Sequence, residues 1–228
     1  MKTLVAIENI KNIIRYWSID SWKHHQRTGV FTQILIEGLR TEADKLLLEP
    51  EALTIIKGNY VHAIIDAAYL HDVGEIGVQN KIWPVSEQPS TVEPGRIHTK
   101  ICDEILGAFL DKKDAAYNQW LLDVCRHHHE RWDGSGYPAR LKGIEIPLSA
   151  RIVAVADGYD TISSGRIGKR SFSHERAARF IKHGIGTWFD PNIGYLFSIL
   201  EDQIKAAGVM LDRRGNAVDA FEELAAIS

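Results

Sequence analysis

Cysteine is scarce: Cys102 and Cys125 are the only two in 228 residues. They sit in no Cys-x-x-Cys pattern and form no disulfide framework, so they read as free thiols in a reducing compartment. Long hydrophobic runs are also lacking. None approaches the ~18 residues that a membrane span requires. Glu8, Lys11 and Arg15 interrupt the start of the chain and leave no signal-peptide core. The expected location is the cytoplasm. Excess charge of one sign is missing too, with 27 Lys and Arg against 30 Asp and Glu for a net charge of -3. That balance gives no electrostatic footprint for a nucleic-acid polymer or an anionic membrane. An anionic substrate must therefore be captured locally, by metals or by a few placed basic groups. There is no Gly-x-Gly-x-x-Gly after a strand, no Gly-x-x-x-x-Gly-Lys and no Gly-x-Ser-x-Gly, which leaves Rossmann, phosphate-loop and nucleophile-elbow chemistry without support.

What is present is an ordinary globular composition, 45% hydrophobic and 25% charged, written almost entirely in helical period. Leu4, Ile7, Ile10, Ile14 and Trp17 predict an amphipathic first helix. Val30, Phe31, Ile34, Leu35 and Leu39 give the buried stripe of a second helix that opens near Asp20. Pro50 suits a helix start, and Val61 to Leu70 is apolar over most of its circumference, as an enclosed helix should be. Residues 79–95, with Pro84, Pro89 and Pro94, read as a surface loop. His98 begins a helix with Ile101, Ile105, Leu106 and Phe109 on its apolar side, and Asp114 is placed to cap a helix from Ala115 to about His128. Pro147 starts a helix through Val153 and Val155, Ser173 caps one from His174 to His183, and Asp190-Pro191 starts another carrying Leu196, Ile199, Leu200 and Ile204. A last helix is expected over Ala217 to Ala226. No convincing strand alternation and no repeat appears. The expected architecture is an all-α, single-domain helical bundle of roughly eight helices over residues 1–228, with 1–17 an N-terminal helix and 198–228 C-terminal helices.

The chemistry concentrates in four places. The densest is His127-His128-His129-Glu130-Arg131-Trp132-Asp133-Gly134-Ser135-Gly136-Tyr137-Pro138. Imidazole and carboxylate together suit Fe, Mn or Zn better than Mg or Ca. The alternative is a basic helix end whose histidines favour the C-terminal pole of the dipole. Asp20 and His24 lie one turn apart and can hold an ion, or share a hydrogen bond at the surface. His71 and Asp72 end the enclosed helix and carry a charge into the interior. That is costly unless the charge is paired or metal-bound. Asp157 emerges at the far end of an apolar run, with Asp160 three residues on and able to point the same way.

Taken together, His24, His71-Asp72 and Asp157 resemble the His...His-Asp...Asp signature of the HD metal-dependent phosphohydrolase superfamily. Leu70 to Gly77, His98, His128 to Pro138, Leu141-Lys142-Gly143 and Ala154 to Asp157 narrow the resemblance to the HD-GYP family, from about Asp20 to Phe197. The resemblance implies an all-helical phosphodiesterase that hydrolyses a cyclic dinucleotide, cyclic di-GMP, by metal-activated hydroxide. It implies two or three metal ions, usually iron or manganese. The implied ligands are His24, His71, Asp72, His98, His128, His129 and Asp157, with Asp72 bridging two ions. Asp20 stands where some members place a Glu for a third. Asp72 and His71 fall in the catalytic centre. Tyr137, Lys142, Glu75, Arg166 and Lys169 fall at substrate-binding positions, while His25 and His127 match no ligand position.

Two departures touch the substrate. Glu75 stands where the family has Lys, and Arg166-Ile167-Gly168-Lys169 replaces the family's Arg-Pro-Tyr-Arg or Arg-Pro-Tyr-Lys loop. Three functions therefore compete: the cyclic-dinucleotide phosphodiesterase, an HD-type phosphohydrolase acting on another phosphate ester, and a catalytically weak module whose Gly-Tyr-Pro loop docks on a signalling partner such as a diguanylate cyclase.

Overall fold

A computed structural model describes residues 2–46, 49–58, 60–79, 96–164 and 171–214, and these are all-α. Among the described residues, most fall in eight helices of ten residues or more: α1 (Lys2–Trp17), α2 (Ile19–Thr41), α4 (Val61–Leu70), α6 (His98–Phe109), α7 (Ala115–His127), α8 (Leu148–Ser163), α9 (His174–Gly184) and α11 (Glu201–Arg214). Three shorter helices, α3 (Pro50–Ile56), α5 (Gly74–Gln79) and α10 (Pro191–Ile199), join them. All of the expected Pro-rich loop at 79–95 except Gln79, the last residue of α5, lies outside the described residues, as do the loop from Arg166 to Lys169 and the helix expected at 217–226.

Helix α2 is the central post. Ser18 caps it by accepting the Ser21 N–H at 3.1 Å, satisfying one of the donors a helix start leaves open. From His24 to Leu39 nearly every side chain is buried, not only the Val30-to-Leu39 stripe. The reason is that α4, α8, α11, α1 and α10 pack around it on several sides. One contiguous core runs from Ile7, Ile10 and Ile14 of α1 to Ile204 and Leu211 of α11. The helix expected through Ile204 breaks at Leu200 into α10 and α11. Asp190 holds the start of α10, its carboxylate accepting the Asn192 and Ile193 N–H groups.

Two local expectations are corrected. The Asp114 carboxylate does not cap α7; it accepts a hydrogen bond from Thr3 Oγ1 at 2.6 Å and ties α1 to the start of α7. Phe109, expected on the apolar face of α6, is 55% exposed because that helix ends at it and the extended Leu110 that follows enters the core instead.

Helix α5 packs on α6 at a distance that only glycine permits. A Cβ at Gly74 would lie 2.0 Å from the His98 carbonyl oxygen and 2.8 Å from the Cys102 nitrogen, both backbone atoms that cannot swing aside. This approach brings the turn carrying Asp72 against the first residue of α6. Gly74→Ala is accordingly expected to lower stability by about 3 kcal/mol through forced separation of the two helices. Urea denaturation checks it, and an unchanged midpoint contradicts the close contact.

Candidate metal centre

The side chains named from the motifs arrive from five helix segments. His24 comes from the first turns of α2, His71 and Asp72 from the turn that ends α4, His98 from the first residue of α6, His128 and His129 from the end of α7, and Asp157 from α8. All are buried except the half-buried His129. Their donor atoms form two groups, His24-His71-Asp72 and Asp72-His98-His128-His129, each with ligand atoms within 4.8 Å of one another.

Asp72 belongs to both groups because its two oxygens face different ways. Oδ2 lies 3.5 Å from His71 Nε2, whereas Oδ1 lies 3.4 Å from His98 Nε2 and 3.3 Å from His128 Nε2. Asp157 Oδ1 completes the first side, 3.3 Å from His24 Nε2 and 3.7 Å from His71 Nε2.

The far nitrogen of each ring fixes which way its lone pair points. His71 Nδ1 donates to the Ala68 carbonyl at 2.8 Å and His128 Nδ1 to the Val124 carbonyl at 2.9 Å. His24 Nδ1 donates to Asp160 Oδ2 at 2.7 Å. Since a carbonyl or carboxylate can only accept, each Nδ1 carries the proton, and each ring when neutral turns its Nε2 lone pair inward. The Nε2 atoms of His24 and His71 are then 3.2 Å apart, lone pair against lone pair. That contact is repulsive unless a cation lies between them. His128 Nε2 is likewise buried with no hydrogen-bond partner. Imidazoles held by a carbonyl or carboxylate behind the ring are the usual metal ligands, and donors spaced this closely suit metal-ligand bonds of ~2.0–2.2 Å. The residues fit divalent metal ions.

Burial acts against a proton on His128, but Asp72 and Asp157 beside it outweigh that and raise its pKa. Burial acts against the Asp157 carboxylate, but the His24 and His71 imidazoles beside it outweigh that and hold the group well below the ordinary range. Burial, reinforced by His128, pushes His129 well below the usual imidazole value and keeps it neutral, the form that ligates.

Two residues that the motifs did not assign hold the site in shape. Asp160 is fully buried and also accepts from Arg27 Nε at 2.5 Å and Nη2 at 3.2 Å, so it anchors His24 to a guanidinium. Its place three residues after Asp157 on an apolar helix was the available signal. Glu130, a potential ligand by its place in the histidine run, points the other way. Its carboxylate accepts the N–H groups of Ala139 at 2.6 Å and Leu141 at 3.2 Å, bracing the Gly-Tyr-Pro loop. Gly136 makes that loop possible, since a Cβ there would lie 2.3 Å from the Arg131 nitrogen. Tyr137 stacks on His129 with ring centroids 4.8 Å apart.

Of the other named positions only Asp20 is expected as a metal ligand; His25 and His127 are not. Asp20 is exposed at the start of α2 and belongs to neither ligand group, because its position on the first turn faces solvent. His127 is in neither group, and His25 donates to the Tyr69 carbonyl at 2.6 Å, a structural contact. Lys142 is exposed, its backbone N–H taken by Glu145. Glu75 is half-buried in the first turn of α5, directly after the Asp72 turn. Arg166 and Lys169 lie outside the described residues.

An all-helical chain that folds imidazoles and carboxylates around one shared aspartate carries a buried His/Asp cluster that could hold metal ions. The family model described as the HD domain matches residues 56–193, and the chain belongs to that family. Among curated relatives, a cyclic di-GMP phosphodiesterase of Vibrio cholerae is 30% identical over 89% of this chain and 40% of its own length. A cyclic di-GMP phosphodiesterase of Thermotoga maritima is 39% identical over 64% of this chain and 39% of its own length. A 3'3'-cGAMP-specific phosphodiesterase of Vibrio cholerae is 28% identical over 82% of this chain and 33% of its own length. The chain thus spans about two fifths or less of these relatives. Among the described residues no helix is long and apolar enough to cross a membrane.

Proposed function

We propose that this chain is a metal-dependent phosphodiesterase that hydrolyses a cyclic dinucleotide, with cyclic di-GMP the first candidate and 3'3'-cGAMP the second. The observation that carries the reading is the divided Asp72 carboxylate, one oxygen toward each ligand group. Two relatives named for cyclic di-GMP and one named for 3'3'-cGAMP support the substrate class. The first ion would be held by His24, His71, Asp72 and Asp157 and the second by Asp72, His98, His128 and His129. Iron or manganese suits this mixture of imidazole and carboxylate.

Held by these residues, divalent ions would supply an acidified water and charge neutralisation at the phosphoryl oxygens. The protein's own part is orientation. Asp160, Ala68 and Val124 keep the Nε2 atoms of His24, His71 and His128 inward. Burial, with Asp72 and Asp157 nearby, raises the Tyr137 phenol pKa, so its hydroxyl stays protonated and can donate to a phosphodiester oxygen. The Glu130 brace holds the loop that presents it.

Protein reconstituted with iron or manganese is expected to retain at least two ions per chain, one for each ligand group, and to open a cyclic dinucleotide. Elemental analysis and chromatography of the products check this. Less than one ion after loading, or turnover of neither cyclic di-GMP nor 3'3'-cGAMP, overturns it.

A further inference from the structure

Arg96 is an exposed residue two positions before His98, and its guanidinium carbon lies 5.0 Å from the centroid of the Tyr137 ring. That ring stacks in turn on His129. The series Arg96, Tyr137, His129 therefore leads from solvent to a residue of the second ligand group. Burial, then Asp72 and Asp157, raises the Tyr137 phenol pKa, while the cations Arg96 and Arg131 act against that rise. Arg131 is itself drawn over the Trp188 ring, 5.0 Å from its centroid. A cation fixed over an aromatic face loses less freedom on binding an anion than an untethered surface arginine. A planar guanidinium fork matches two phosphate oxygens in geometry.

We propose that Arg96, positioned by Tyr137, is a substrate-anchoring residue that binds the phosphodiester not undergoing cleavage. The inference rests on the proposed phosphodiesterase reading. A cyclic dinucleotide carries two phosphodiesters, and the ligand groups engage one of them. The other is left to a cation at the rim of the site, one aromatic ring beyond His129. Discrimination between a substrate with two phosphodiesters and one with a single phosphodiester is then built into the fold.

The test uses metal-loaded full chain with cyclic di-GMP and with guanylyl-(3'→5')-guanosine, which has the same bases and a single phosphodiester. Arg96→Ala is expected to raise KM for cyclic di-GMP about tenfold or more while kcat changes less than about threefold. The rise with the linear dinucleotide should be much smaller, and Arg96→Lys should recover part of the loss. Tyr137→Ala should raise KM similarly, with the double variant little worse than either single one, as coupled residues behave. Metal content and thermal midpoint serve as the structural controls. Equal KM effects on both dinucleotides assign Arg96 to a base edge and overturn the proposal, as does an unchanged KM. If the wild type turns over neither compound, calorimetric binding of cyclic di-GMP decides. Binding weakened about tenfold by Arg96→Ala supports the anchor although the hydrolytic reading has failed, and binding that is absent or unaffected overturns the anchor.

Discussion

Asp72→Ala is expected to abolish hydrolysis, by ~10³-fold or more, equivalent to about 4 kcal/mol of transition-state stabilisation, and to strip the protein of metal. Asp72 is the one residue common to both ligand groups. Removing it takes an oxygen from each side and leaves His98 and His128 without the carboxylate they face at 3.3 to 3.4 Å. Asp72→Asn separates the two effects. An amide retains one oxygen but turns its nitrogen, a donor and not a ligand, toward the other group. Its metal content is expected to fall by about half rather than to zero. Elemental analysis of the wild type and both variants, with turnover measured on the same samples, checks the pair. Full metal content and activity in Asp72→Ala would contradict the assignment of both ligand groups.

Asp160→Ala carries the second large effect, and on stability as well as on metal. Its carboxylate is fully buried and satisfies His24 Nδ1 and two N–H groups of Arg27. Without it Arg27 keeps an ion pair with Asp212, whose side chain is 67% exposed, at 3.3 Å. Breaking a buried pair by removing one partner costs about 3–5 kcal/mol, because the remaining charge stays desolvated. His24 at the same time loses the acceptor that holds its tautomer, which is worth ~10–100-fold in metal affinity. Asp160→Asn keeps an acceptor for His24 but not the charge for Arg27, so it should recover more of the metal affinity than of the stability. Urea unfolding and metal titration measure the two quantities independently. A variant with wild-type values in both would mean that Asp160 is not what orients His24.

Much of this is legible in the sequence. Helix existence follows from periodicity, since a face that must be buried repeats at helical spacing whatever it packs against. The ligand types follow from chemistry, because a His-Asp pair closing an apolar helix is too costly to be idle. Less legible are the details that depend on a neighbour distant in sequence. Asp114 has the right residue type and place for a cap, yet Thr3 takes its carboxylate. Glu130 sits inside a metal-like run, yet the backbone of Ala139 and Leu141 claims it. Asp20 shares a helix with His24, but the first turn of α2 lies in solvent while His24 is 1% exposed.

The sequence by itself determined the class of the chain, its helical period and the set of imidazoles and carboxylates available, because residue type and local spacing are properties of the covalent chain. Tertiary structure alone decided how those groups are divided. That Asp72 serves both ligand groups, that Asp160 and Arg27 stand behind His24, and that Arg96 lies over Tyr137 all depend on contacts between elements distant in the chain, as His24 meets Asp160 across 136 residues. The physical reason is direction. A side chain's identity says what it can bind, but where its lone pairs and protons point is set by the acceptor or cation packed behind it, and the path of the backbone brings that partner there.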